Sequence, residues 1–177
     1  MDLKSLSINN VLYDVIKLLG KGKGGYSYLV KKDNQFFVIK QIHHETCSYY
    51  TFGNKLESEI NDYKRLLETS INLPKLIEID YDNERILKEY IEGPTIYDLV
   101  KDDLMEDEYI NIVRKMAKSC FDKGLNIDYY PTNFIVKDND LYYIDYECNN
   151  YDPKWSFENW GIMYWSKTNE FLETLKK

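Results

Sequence analysis

Asp128, Asn133 and Asp145 pose the first chemical question of this sequence. The stretch "NIDYYPTNFIVKDNDLYYIDYE", residues 126–147, sets two carboxylates and an amide at the mouths of two apolar runs separated by a polar turn. A carboxylate and a carboxamide offer hard oxygens of the kind magnesium accepts, and a second carboxylate can orient an attacking hydroxyl or take its proton. On this reading Asp145 and Asn133 are the metal ligands and Asp128 is the base, provided that the rest of the chain supplies a phosphate to work on.

Gly20-Lys21-Gly22-Lys23-Gly24-Gly25 is the place to look for it. The pattern G-x-G-x-x-G is weak alone. A dinucleotide-binding loop opens a helix and a Walker loop ends in Gly-Lys-Ser/Thr, whereas here Tyr26, Tyr28 and Val30 follow on alternate positions. The glycines therefore join two strands, an arrangement in which missing Cβ atoms let backbone N–H groups approach phosphates.

Lys40 closes the strand "FFVIK" on the same face as Val38 and Phe36. Its partner is sought on a helix over residues 51–69, where Leu56, Ile60, Tyr63 and Leu67 recur at helical spacing. At roughly 100° per residue, Glu59 falls within the stripe of Leu56, Ile60, Tyr63 and Leu66, and Glu57 falls on the polar side with Asn61 and Lys64. An inward glutamate is costly without a partner, and pairing with Lys40 accounts for both residues.

The elements that must position these groups follow from turn residues and periodicity. "VLYDVIKLLG" and "YSYLVKKDNQFFVIKQI" read as strands, the second folded at Asp33-Asn34, and "PKLIEIDYDNERILKEYI" resumes strand character about Asp82-Asn83. Gly93-Pro94 marks a boundary, giving a strand-rich part, 1–92, with one helix and a helical part, 93–177. Helices are expected over 96–101 and 106–123, the latter ended by Gly124, and "WSFENWGIMYWSKTNEFLETLKK" reads as one last helix. Trp155, Trp160 and Trp165 are expected as core contacts, and Tyr129-Tyr130 as packing for the Asp128 loop.

Composition narrows the partners. A formal charge of −7 without a long basic stripe argues against nucleic acid, and no run approaches the roughly 18 apolar residues of a membrane span. The start, "MDLKSLSINN", lacks the build of a signal peptide, and three cysteines without metal-ligand spacing suit reduced thiols in a cytoplasm. His43 and His44 have no metal partners at suitable spacing and are assigned no role.

In this order the motifs resemble those of the protein-kinase-like superfamily over nearly the whole chain. Gly20, Gly22 and Gly25 match its glycine loop, Lys40 its strand lysine and Glu59 the helix partner. "LKEYIEGPTI" is similar to its hinge, with Lys88 at the gatekeeper and the backbone of Glu89 and Ile91 placed for adenine. Asp128 and Asn133 keep the D-x-x-x-x-N spacing of the catalytic loop, and Asp145 stands for the metal-binding aspartate. The departures mark an atypical member: Asn126 replaces the catalytic-loop histidine, Tyr130 its lysine, and "DYE" replaces D-F-G. "IDYE" with "WSFENWGIMYW" is closer to aminoglycoside and choline phosphotransferases, "DYYPTN" to RIO-type kinases.

The resemblance implies an α+β, two-lobed kinase-like fold with a truncated helical carboxy lobe, binding ATP and Mg2+. It implies transfer of phosphate to a Ser/Thr hydroxyl of a protein or to a small-molecule hydroxyl, with a nucleotide-binding adaptor as the non-catalytic alternative. Little chain follows Asp145, and no A-P-E segment is seen, which favours a protein acceptor, or a partner protein completing its site.

Overall fold

The computed structural model describes residues 3–46 and 53–176; Cys47 and positions 51 and 52 of the expected helix lie outside them. The chain divides into two compact units, one formed by the residues up to Glu59 with Pro74–Tyr90, the other by Ile60–Leu73 with the chain from Ile91 onward.

The first unit is built on one antiparallel sheet. Its strands are β1 (Ser5–Ile8), β2 (Val11–Lys21), β3 (Gly25–Lys32), β4 (Gln35–Ile42), β5 (Leu76–Asp80) and β6 (Arg85–Glu89), in the order β1-β2-β3-β4-β6-β5. Alternate residues give it an apolar face, and Leu6, Ile8, Tyr13, Val30, Ile39 and Leu87 form its buried cluster. Two of its hairpins turn on residue pairs with positive φ, Asn9-Asn10 at 44° and 69° and Asp33-Asn34 at 48° and 61°. Such turns match the right-handed twist of the strands they join, and Asn and Asp tolerate the left-handed region. The twist curls the sheet into a half-barrel until its edge strands meet. There Asn9 donates its backbone N–H to Asp80 Oδ2 at 2.8 Å and its side-chain amide to Glu78 Oε1 at 2.7 Å.

Helix α1 (Lys55–Leu66) lies between β4 and β5 in the chain, and the division between units falls within it, after Glu59. Leu56, Ile60 and Leu66 are buried, whereas Leu67 lies beyond the helix end and is exposed.

The second unit holds α2 (Ile96–Lys101), α3 (Asp107–Asp122) and α4 (Asn169–Thr174), with two small antiparallel ladders. Thr95 and Asp98 close a capping box on α2, and Gly124, at φ 69°, ends the α3 region. β7 (Leu125–Ile127) pairs with β10 (Cys148–Asn150), and β8 (Phe134–Lys137) pairs with β9 (Asp140–Tyr143) across the positive-φ turn Asp138-Asn139. Val113, Cys120, Phe134, Leu141, Tyr143, Phe157, Trp165 and Phe171 lie in its core.

The two-lobed kinase-like architecture with a helical carboxy lobe, implied by the resemblance, is overturned. The described residues are mostly antiparallel sheet with few helices, 34% strand and 30% helix. The second unit shows why: strand residues follow Gly124, and the segment expected as one last helix is broken. Pro153 and Gly161 open 3₁₀ turns at Pro153–Trp155 and Gly161–Tyr164, and only Asn169–Thr174 is α-helical. At Gly161 a Cβ would stand 2.5 Å from Tyr129 Cβ, so close packing rather than helix propensity decides the backbone there. Trp155 is a second correction, since it is 46% exposed beneath the Lys154 ammonium, while Trp165 is buried as expected of a core contact.

Candidate functional site

In the first unit, Lys40 Nζ stands 2.7 Å from Glu59 Oε2, with both side chains largely buried. Glu57, two residues earlier on α1, is exposed. The second carboxylate oxygen, Glu59 Oε1, is buried without a hydrogen-bond partner, an unusual state for so polar an atom. Gly20 lies in β2 opposite Ser27, and Gly25 opens β3, where a Cβ would be 2.4 Å from Gln41 O. Between them the chain reverses through a tight turn in which Gly22 N donates to Gly25 O at 2.9 Å. A Cβ on Gly24 would meet only Lys40 Nζ, at 4.0 Å, so the glycine turn lies directly against the Lys40 ammonium.

In the second unit, the residues singled out in 126–147 come together through backbone. Asp128 Oδ1 accepts Tyr130 N at 3.0 Å, an Asx turn that leads into the 3₁₀ turn Pro131–Asn133. Asn133 Nδ2 donates to Asp128 O at 3.3 Å, and Asn133 O accepts Ile144 N at 2.9 Å, tying the amide to the residue before Asp145. Asp145 Oδ1 accepts Tyr146 N at 2.8 Å.

Tyr143, absent from the sequence-derived set, fastens this arrangement. Its fully buried hydroxyl accepts Asp128 N at 3.2 Å and donates to Glu147 O at 2.7 Å. Burial drives its phenol well above the usual tyrosine range, and the carboxylates of Asp145 and Asp128 push the same way. The signal was a tyrosine on the inward phase of its strand, whose hydroxyl must find a partner when buried.

The proposed hinge residues fall in different units: Glu89 in the first and Ile91, buried, in the second. Glu89 gives its N–H to Lys75 O at 2.9 Å, leaving only its carbonyl for a ligand. For a magnesium ion, the donors present fit by type. Asn133 has committed its amide nitrogen, so Oδ1 is the atom it would offer a metal, and Asp145 would add a carboxylate. Among the described residues no group of three or more His, Cys, Asp or Glu forms a metal cage, so other ligands would come from phosphate and water.

No protein-family model matches this sequence, and no curated protein matches it.

Proposed function

We propose that this chain is an ATP- and Mg2+-dependent phosphotransferase acting on an alcohol group, with a Ser/Thr hydroxyl of a protein as its acceptor. The resemblance to the protein-kinase-like superfamily enters through its chemistry alone. The observation that carries the reading is the buried Lys40–Glu59 pair against the glycine turn. A buried ion pair is a poor stabilising device, because desolvation offsets its attraction, and a lysine kept charged beneath backbone amides is suited to a phosphate.

In this reading Glu59 orients Lys40, Lys40 and the turn bearing Gly20, Gly22 and Gly25 hold phosphate, and Glu89 and Ile91 meet the base. Asn133 and Asp145 would hold the magnesium, whose charge would offset that of the transferring phosphate. Asp128 orients the acceptor hydroxyl and takes its proton. The free buried thiols of Cys120 and Cys148 suit a reducing cytoplasm. Among the described residues no helix is long and apolar enough to cross a membrane.

The test is a labelled-ATP assay with the purified chain alone, with lysate proteins and with a panel of aminoglycosides, choline and sugars. Transfer to protein is expected, abolished in Asp145→Asn and reduced about 10²–10⁴-fold in Asp128→Ala with ATP affinity retained. Rapid transfer to a small molecule by the chain alone would replace the acceptor class. Absence of ATP binding with or without magnesium would remove the enzyme reading.

A further inference from the structure

We infer that Lys55 and His43 are positioning residues that set the polarity of the glycine turn, holding its carbonyl oxygens to one side so that its N–H groups face a polyphosphate. The inference rests on the phosphotransferase reading and adds two residues to it, neither of them a ligand of phosphate itself.

The case is an account of the three carbonyl groups of residues 22–24. Gly22 O lies 2.9 Å from His43 Nε2. Lys23 O accepts from Lys55 Nζ at 3.3 Å, and the same ammonium donates to His43 O at 2.6 Å. Gly24 O accepts from His43 N at 3.2 Å. All three oxygens are thus engaged by His43 or Lys55, and none of the peptide bonds is cis. In a trans peptide the N–H points opposite to its carbonyl. The N–H groups of Lys23, Gly24 and Gly25 are therefore directed away from His43 and Lys55, and successive N–H groups aimed together form an anion-binding concavity.

The anchors suit the task. Lys55 is buried although it lies in the first turn of α1, a costly place for an ammonium unless it holds something. Because a carbonyl can only accept, His43 Nε2 must carry its proton, and Nδ1 then accepts Glu45 N at 3.3 Å. The ring is held edge-on to Tyr26, 5.2 Å between centroids.

Lys55→Met keeps the apolar stem and removes the ammonium. Calorimetry with Mg-ATP, adenosine and inorganic tripolyphosphate should show Mg-ATP and tripolyphosphate weakened roughly 10- to 100-fold, the size of one lost charge-assisted hydrogen bond, with adenosine unchanged. Amide exchange at Gly22 and His43 should quicken while the remaining sheet amides keep their protection. His43→Phe retains the ring contact with Tyr26 and should show the same selectivity if Lys55→Met does not fold. Equal weakening of adenosine and Mg-ATP would mean general damage, and unchanged tripolyphosphate affinity in both variants would overturn the inference while leaving the enzyme reading intact. Wild-type protein that binds adenosine or Mg-ATP but no tripolyphosphate would also overturn it, and wild type that binds none of the three removes both.

Discussion

Tyr143 and Asp80 show how much rests on single polar atoms placed in apolar surroundings. The Tyr143 hydroxyl bridges the chain at Asp128 to the chain just past Asp145, so Tyr143→Phe keeps the ring and loses both bonds. The half-buried Asp128 N–H then loses this acceptor, at a cost of about 1 kcal/mol. Stopped-flow and steady-state assays should show a lower kcat and a raised magnesium requirement with the KM for ATP nearly unchanged; a change in thermal stability alone would make Tyr143 purely structural. At Asp80, burial pushes the carboxyl upward, but hydrogen bonds from Asn83 and Asn9, with Arg85 nearby, outweigh it and hold the group below the usual range. A depressed carboxyl contributes stability above its unfolded value near 4 and loses it as pH falls through its folded value. Urea midpoints should therefore drop below about pH 4 in the wild type, and Asp80→Asn, less stable at neutral pH, should show a shallower acid limb.

At the scale of elements, the phase of α1 decides which acidic residue matters. Glu59→Ala removes the carboxylate 2.7 Å from the Lys40 ammonium and should cut phosphotransfer at least tenfold, whereas Glu57→Ala, on the exposed side, should leave the rate within about twofold. Essential Glu57 with dispensable Glu59 in the same assay would separate the buried pair from the chemistry. That phase was legible because Leu56, Ile60 and Leu66 mark a stripe that includes only one of the two glutamates. The hairpins at Asp33-Asn34 and Asp138-Asn139 were legible for a similar local reason, turn chemistry between alternating runs. β1 carries the same signature in "SLSINN", an alternating run before Asn9-Asn10 that lies close to the chain start. β7 and β10 were illegible: each has three residues, and their pairing joins Ile127 to Cys148 across a long stretch of chain. The broken final helix failed for a different reason, since aromatic residues suit helix, strand and turn alike, and the contact of Gly161 with Tyr129 is a tertiary fact. Of the candidate site, the groups proposed for the chemistry were singled out by type and spacing. The groups that position them, Tyr143, Lys55 and His43, reach backbone atoms of their targets, which every residue shares.

For the molecule as a whole, a formal charge of −7 means that a nucleotide polyanion must be met by local donors and accompanied by its own cation. A ligand that binds only the folded state stabilises it by about 2.7 kcal/mol at a hundred times its Kd, or about 5–10 °C in Tm for a chain of this size. Thermal scans should show that rise with Mg-ATP, and Asp145→Asn should lose the part that depends on magnesium; no shift at saturating Mg-ATP would contradict nucleotide binding. The tryptophans give a second, optical view of the same event. Trp165 is buried and donates its indole N–H to Tyr129 O at 2.8 Å, one residue past Asp128, while Trp155 stands half in solvent, edge-on to Trp160. Iodide should quench Trp155 and spare Trp165, and the emission that survives quenching would then be a built-in reporter of the Asp128 loop, readable in milliseconds without a label.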